Sequence, residues 1–139
     1  MSSKHLTVKY LLDTNICIYI QREKPVQVLE KFKTLHRGEA VISEITWGEL
    51  CYGAYKSQHT AQVLRALKEL VTIIPIQSMP SNVGLAYGEI RATLAKKGEI
   101  IGSNDLWIAA HAKASGLILV SNNLREFERV DGLFLENWA

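Results

Sequence analysis

The sequence predicts one α/β domain, in which a parallel sheet of about five strands is flanked by helices. Two observations lead to this fold class. Short apolar runs of β type alternate with longer segments of helical periodicity, which is the pattern of strand–helix–strand units. A chain of 139 residues can bury one core but is too short for two, and no linker-like stretch divides it. We therefore expect residues 1–139 to form a single domain.

Apolar runs and turn residues locate the individual elements. The predicted strands are residues 8–12, 40–43, 71–76, 117–121 and 133–135. The predicted helices are residues 14–20, 25–35, 44–55, 60–70, 81–97 and a last helix that ends near residue 115. Gly98 suits a left-handed cap after residue 97, and Ser103 or Asn104 would cap the last helix.

Composition and charge exclude few functions. The formal net charge of +2 does not by itself indicate a nucleic-acid partner, because phosphate binding depends on local clusters of cations. No stretch reaches the roughly 18 apolar residues of a membrane helix, and residues 1–5 lack the apolar region of a secretory signal, so we expect a cytoplasmic protein. Cys17 and Cys51 have no Cys-x-x-Cys spacing, and we expect two reduced, packed thiols.

Three carboxylates lie where a parallel sheet would bring them together. Asp13 directly follows the first predicted strand, and Glu49 and Asp105 lie on helices that follow turns. In an open α/β sheet, ligands bind outside the carboxyl ends of the strands, near the point where strand order reverses. Acids that converge there make a site for a hard divalent cation, and such a site beside a phosphate is typical of nucleases.

Each acid also has a simpler explanation. Asp13 could cap the helix that begins at Thr14, and Asp105 could interact favourably with the helix dipole from a first helical turn. Glu49 has the apolar neighbours Trp47 and Leu50, so it lies either on a narrow solvated face or turned inward with a partner. Capping and catalysis are compatible, because a helix N-terminus helps to keep a carboxylate ionised.

Other classes of site fit the sequence less well. The histidines at positions 5, 36, 59 and 111 form no zinc pattern, and no Gly-x-x-x-x-Gly-Lys phosphate loop is present. His111 has no second histidine at ligand spacing, so we expect a packed or surface side chain. A phospho-acceptor signalling domain would need paired acids and a strand-end lysine, and Asn15 stands where a haloacid-dehalogenase-type phosphatase needs its second aspartate.

Four motifs in this order resemble the PIN-domain ribonucleases, and within them the VapC toxins of bacterial toxin–antitoxin pairs. They are Leu-Asp-Thr-Asn-Ile at 12–16, Ser-Glu-Ile-Thr-Trp-Gly-Glu-Leu-Cys-Tyr-Gly at 43–53, Gly-Ser-Asn-Asp-Leu-Trp-Ile-Ala-Ala-His-Ala at 102–112 and Val-Ser-Asn-Asn-Leu-Arg-Glu-Phe at 120–127. The resemblance covers nearly the whole chain. It implies a PIN domain, which is a Rossmann-like parallel sheet of the kind predicted above.

The resemblance also implies the site residues. Asp13, Glu49 and Asp105 fall on the family's acidic catalytic and metal-binding positions. The supporting polar residues would be Asn15, Ser43, Ser121 and Asn123. Asn123 departs from the pattern, since many members have aspartate there, and an amide adds no negative charge to hold a second cation. We expect one well-held Mg²⁺, for which Mn²⁺ can substitute. Two further acids, Glu44 and Glu89, are left outside the core set, and Glu44 is expected to face solvent.

The implied activity is metal-dependent hydrolysis of RNA, with tRNA cut in its anticodon region as the implied substrate and translation inhibited as the result. Messenger or ribosomal RNA is the alternative substrate, and a noncatalytic PIN-like module that binds RNA or protein is the alternative function. Lys96, Lys97 and Arg125 are expected to contact the RNA backbone, although neighbouring glutamates also suit a solvated mixed-charge surface. The implied partners are a cognate VapB-type antitoxin, whose tail lies in the active-site groove, and a second copy of the chain in a homodimer and a larger complex.

Overall fold

A parallel sheet with helices on both faces forms the described part of the protein, for which a computed structural model covers residues 7–139. The strands are β1 (Tyr10–Leu12), β2 (Ala40–Val41), β3 (Ile118–Val120) and β4 (Leu135–Glu136). The helices are α1 (Thr14–Arg22), α2 (Val26–Lys33), α3 (Glu44–Lys56), α4 (Thr60–Ile73), α5 (Val83–Lys97), α6 (Ser103–Ser115) and α7 (Leu124–Phe127). None of these helices is long and apolar enough to span a membrane. Residues 1–6, which include His5 and the segment judged for a secretory signal, lie outside the described range.

The strand β1 occupies the centre of the sheet. The strand order is β2-β1-β3-β4, and every neighbouring pair is parallel. A bridge between Ile42 and Ile76 adds one further parallel pairing on the β2 side. The predicted α/β class is confirmed, with four strands and this bridge among the described residues. Because the chain passes from β1 to β2 on one side and to β3 on the other, strand order reverses between β1 and β3.

Neighbouring side chains of β1 enter two separate cores. Tyr10 and Leu12 pack with residues of α1 to α4, whereas Leu11 packs with residues of α5, α6 and α7. The strand is therefore buried on both faces, which explains why all three of its residues are apolar. The same packing fixes the position of the residue that follows β1, at the carboxyl edge of the sheet.

The predicted strand at residues 71–76 is wrong for most of its length. The helix α4 continues through Ile73, and in the rest of the run only Ile76 pairs with the sheet. Leu67 and Leu70 are buried on α4, and Ile74 is buried just beyond its end, at the three- and four-residue spacing of one helical face. The apolar run thus extends a helical stripe, and the proline that follows ends it because the residue before a proline avoids helical backbone.

Three smaller differences concern the ends of elements. Gly102 occupies the cap position of α6, and no side chain makes a capping hydrogen bond there, so the predicted caps Ser103 and Asn104 are wrong. The last strand begins at Leu135, two residues later than predicted, and the short helix α7 was not predicted. The left-handed cap at Gly98 is confirmed by its φ of 68°.

The described histidine and cysteine side chains agree with the predictions. His111 is fully buried on α6, and its Nε2 lies 2.9 Å from Oε1 of Gln77. Burial lowers the pKa of this imidazole, which favours its neutral form. Cys17 and Cys51 are free thiols, as expected. His111 and Cys17 therefore belong to the packing of the domain, whereas Cys51 is partly exposed.

Leu11→Ala tests the assignment of the central strand. We expect it to lower the free energy of unfolding by about 3 kcal/mol, because it leaves a cavity in a closely packed core. Leu85→Ala is the matched control, since that side chain is 82% exposed and its loss should change stability by less than about 0.5 kcal/mol. Urea denaturation followed by circular dichroism measures both values, and equal losses would contradict the described core.

Candidate active site

Asp13 lies at the carboxyl end of β1 and begins the site. Its Oδ1 accepts a hydrogen bond from the Thr14 backbone N–H at 2.7 Å, so it caps α1. Its Oδ2 accepts a hydrogen bond from the Ser121 hydroxyl at 2.9 Å, which joins the carboxyl ends of β1 and β3. Burial raises the pKa of Asp13, these two hydrogen bonds oppose that rise, and the charges of Glu49 and Glu126 add to it. The capping and site-building explanations both hold for this residue.

Asp105 lies in the first turn of α6 and is half-buried. Burial and the negative charges of Asp13, Glu126 and Glu49 raise its pKa to about 7, and a hydrogen bond that it shares with Glu126 contributes. An exposed aspartate on a first turn would be favoured by the helix dipole instead. The raised pKa therefore means that Asp105 is crowded by other carboxylates and has no compensating cation among the described side chains.

Glu49 projects from α3 toward the same edge, and both of its oxygens are held. The Thr14 hydroxyl donates a hydrogen bond to Oε1 at 2.5 Å, and the Asn104 side-chain amide donates one to Oε2 at 3.4 Å. Thr14 is the first residue of α1 and directly follows Asp13. Asn104 lies in α6 and directly precedes Asp105. Of the two alternatives for Glu49, an inward position with a partner is the one observed. The three predicted acids are thus brought together.

A fourth acid, Glu126 of α7, was missed by sequence reasoning. Its carboxylate accepts hydrogen bonds from the Gly102 backbone N–H at 3.2 Å and from the Asn123 amide at 2.9 Å. The Asn123 hydrogen bond is the main cause of a lowered pKa, burial opposes it, and the bond shared with Asp105 also lowers it. Of the two carboxyls, Asp105 therefore has the higher pKa. Glu126 stands three residues after Asn123, so a search one helical turn beyond the unexpected amide would have found it.

The predicted supporting residues separate into two groups. Ser121 and Asn123 belong to the site, since the Ser121 hydroxyl binds Asp13 and also accepts from the Asn123 backbone N–H at 2.9 Å. Asn15 is exposed at its rim, where its amide donates to Asn122 at 3.3 Å. Ser43 is instead the N-cap of α3, with its hydroxyl bound by the Thr46 N–H at 3.0 Å, so it makes no described contact with the acids.

The predicted RNA-binding cations lie on the surface. Lys96 and Arg125 are exposed. Lys97 pairs with Asp131 at 3.4 Å, and both side chains are largely solvated, so this pair contributes little to stability. Glu44 is exposed, as expected, and so is Glu89.

The donor chemistry of the site fits a hard divalent cation. Among residues 7–139, no three or more acidic, histidine or cysteine side chains form a cage that could hold a metal ion. Mg²⁺ does not require such a cage, because it keeps several waters and binds through one or two carboxylates and substrate phosphates. The raised pKa values of Asp13 and Asp105 show that ionising these two carboxyls is unfavourable. A bound cation would relieve that cost. These two carboxylates are the residues best placed to hold it.

A parallel α/β domain with acids near the reversal of strand order is typical of metal-dependent nucleases, and comparison with known proteins identifies the class. The PIN domain model matches residues 10–133. Ribonuclease VapC2 of Haemophilus influenzae Rd and the tRNA(fMet)-specific endonuclease VapC of Shigella flexneri are each 44% identical to this chain, over 95% of it and 99% of the relative. The chain belongs to the PIN-domain family and, within it, to the VapC ribonucleases.

Two solved structures share the fold closely. DNA-bound VapBC from Salmonella typhimurium matches with a TM-score of 0.89 and 38% identity, covering 96% of this chain and 100% of the other. VapBC2 from Rickettsia felis, bound to a DNA fragment from its promoter, matches with a TM-score of 0.86 and 39% identity, covering 94% of this chain and 98% of the other. The resemblance drawn from the four motifs is confirmed.

Asp105→Asn should stabilise the metal-free protein at neutral pH. The native pKa of about 7 exceeds the ordinary value of 3.8, so Asp105 makes stability fall as pH rises between these values. Removing the charge should therefore raise the free energy of unfolding very little near pH 4 and by on the order of 1 kcal/mol at pH 8, discounted for its half-exposed position. Urea denaturation in EDTA across this pH range measures the gain.

Glu30→Gln on the exposed face of α2 is the control for the loss of one negative charge. It should give no gain that grows with pH. A wild type as stable as Asp105→Asn at every pH would contradict the crowding of carboxylates described here.

Proposed function

We propose that this protein is a Mg²⁺-dependent endoribonuclease that acts as the toxin of a VapBC-type pair. The observation that carries the proposal is the cluster of Asp13, Glu49, Asp105 and Glu126 at one edge of the sheet, with the pKa of Asp105 raised to about 7 by burial and by the other acids. Carboxylates that raise one another's pKa in this way lower the stability of the fold. A site that recruits a cation and then a phosphate accounts for them.

The chain's own residues have distinct roles in this proposal. Asp13 and Asp105 would hold the cation, with Ser121 and the Thr14 N–H fixing the orientation of Asp13. Mg²⁺ supplies charge that polarises a phosphoryl oxygen and lowers the pKa of a bound water. Glu49, oriented by Thr14 and Asn104, would accept the proton of the attacking water.

Glu126 compensates for the amide at position 123. The Asn123 side chain carries no charge, but its hydrogen bond at 2.9 Å holds the Glu126 carboxylate against Asp105. The fourth negative charge is thereby supplied from the next turn of the chain. We expect Glu126 to support the bound cation through water, because the described side chains form no closed cage of three ligands.

The substrate we propose is initiator tRNA, cut in its anticodon region. The Shigella flexneri relative, which is 44% identical over nearly its whole length, is named a tRNA(fMet)-specific endonuclease. Loss of this tRNA would stop translation. The chemistry of the acids does not select an RNA, since specificity depends on the surface around them.

The partner we propose is a VapB-type antitoxin in the cytoplasm. Related chains from Salmonella typhimurium and Rickettsia felis have been solved as VapBC assemblies with DNA. A basic antitoxin side chain placed among the acids would neutralise the charges that otherwise recruit Mg²⁺, and the antitoxin tail would also exclude RNA. We further propose that the toxin is a homodimer and that it forms a larger complex with its antitoxin.

Cleavage of a total tRNA pool tests the proposal. Purified protein without antitoxin should make discrete cuts with Mg²⁺ and none in EDTA, and Mn²⁺ should restore cutting. Asp13→Asn, Glu49→Gln and Asp105→Asn should each lower the rate by about 100-fold or more, since each removes a group that holds the cation or accepts a proton. Mapping the ends identifies the substrate. A folded wild type that cuts neither tRNA, messenger RNA nor ribosomal RNA would contradict the proposal and favour a binding module.

Glu126→Gln tests whether the fourth acid contributes to the proposed metal site. We expect slower cleavage and a higher Mg²⁺ concentration at half-maximal rate, by about 10-fold, because supporting groups around a metal typically contribute that much. Glu128→Gln is the control, since Glu128 is exposed directly after α7. Steady-state rates across a Mg²⁺ series measure both variants. An unchanged Mg²⁺ requirement in Glu126→Gln would show that the fourth charge is not part of the site.

A further inference from the structure

A groove of about 670 Å³ runs along α3 beside the candidate active site. Its lining residues are Glu44, Ile45, Gly48, Glu49, Tyr52 and Asn104. Glu49 belongs to both the groove and the acid cluster, so the groove is continuous with the place where a phosphate would be cut. Its volume is in the range of small-ligand sites and can hold a nucleotide.

Tyr52 forms an exposed aromatic wall of this α3 groove. Its side chain is 66% exposed, and Nζ of Lys56 lies 5.2 Å from the centre of its ring. Lys56 therefore lies over the ring and brings a positive charge next to the groove, although it is not itself a lining residue. An exposed aromatic ring next to a cation is the combination that binds a base and a backbone phosphate of single-stranded nucleic acid.

Gly48 lies between Glu44 and Tyr52 on the floor of the groove. A glycine inside a helix destabilises it relative to alanine, so its presence calls for a reason. Packing within the chain provides none, because an added Cβ would meet no atom within 4 Å. The same is true of Gly53 in this helix, but of the two only Gly48 lines the groove. The open surface above Gly48 instead lets a flat group approach the helix backbone next to Tyr52.

We propose that the α3 groove binds the nucleotide next to the scissile phosphate, with its base stacked on Tyr52 above Gly48 and the adjoining phosphate within reach of Lys56. This inference rests on the proposed ribonuclease function and names the part of the substrate that the groove holds. RNA fits better than a protein segment because the groove borders a catalytic carboxylate and because Lys56 lies beside its aromatic wall. Glu44 also lines the groove but is exposed to solvent.

Asn104 adds a polar group that can select the base. Its amide donates to Glu49 at 3.4 Å, which leaves its carbonyl oxygen and second N–H available in the groove. A side-chain amide can pair with the edge of an unpaired base. The groove thus combines stacking, which tolerates any base, with one hydrogen-bonding group that discriminates.

Binding of RNA to a non-cleaving protein tests this inference separately from cleavage. The probe is the anticodon stem–loop of initiator tRNA, and the background variant is Asp105→Asn in Mg²⁺, with affinity measured by fluorescence anisotropy. Tyr52→Ala should weaken binding by about 10-fold, as expected for the loss of one base–aromatic stack, and Tyr52→Phe should restore affinity to within about twofold of the parent. Gly48→Ala should also weaken binding, while its melting temperature is unchanged or higher.

The same helix provides matched controls. Tyr55 is 67% exposed but does not line the groove, so Tyr55→Ala should bind RNA like the parent. Gly53 also has no atom within 4 Å of an added Cβ and lies outside the lining, so Gly53→Ala should behave likewise. Normal binding by both control variants shows that a general change in α3 is not the cause.

An abasic substitution in the RNA then locates the stacked base. Removing the base beside the cut should weaken binding to the parent as much as Tyr52→Ala does, and the two changes together should cost no more than one alone. Equal affinities for Tyr52→Ala, Gly48→Ala and the parent would overturn the inference, even if the wild type cuts RNA. Losses confined to Tyr52→Ala and Gly48→Ala would support it, even if the natural cut lies in another RNA.

Discussion

Repulsion between carboxylates at the edge of a buried sheet is the constraint on which the rest of the structure depends. Asp13 follows a strand that is covered on both faces, and Asp105 begins a helix packed against the same core. Burial and mutual charge raise the pKa of both residues. The fold tolerates this cost because neutral donors, Ser121 and the Thr14 N–H, stabilise the ionised form of Asp13. Stability is thus lost at the edge of the sheet where we propose that a cation binds.

The side-chain hydrogen bonds to the acids share one feature, which is a neutral donor. Every described side chain that donates to Asp13, Glu49 or Glu126 is a hydroxyl or an amide, never a lysine or arginine. Neutral donors orient a carboxylate without cancelling its charge. These donors therefore leave the negative charge of the acids in place, although the nearby charge of Arg129 contributes to the lowered pKa of Glu126. The described ion pair, Lys97 with Asp131, lies on the surface away from these donors.

How much of this could be predicted from the sequence depends on the kind of signal. Asp13 and Ser121 were predicted at strand ends, because each is the polar residue at the carboxyl end of an apolar run. Glu126 was missed because α7 has only four residues and no periodicity to show which side chain turns inward, and its three-residue spacing from Asn123 was the signal that pointed to it. Residues 71–76 were misassigned because a short apolar run fits a strand and a helix equally well until its burial is known. Ser43 was placed in the site because it ends the second predicted strand and because of the family resemblance, whereas its hydroxyl caps α3.

Proton release on Mg²⁺ binding tests the central claim most directly. If Asp105 has a pKa of about 7 and is the group that the cation ionises, binding near pH 7 should release about half a proton and binding at pH 8.5 almost none. Calorimetric titration in two buffers of different ionisation enthalpy measures this number. Mg²⁺ binding with no proton release at pH 7, or no Mg²⁺ binding at all, would contradict a site built on crowded carboxylates.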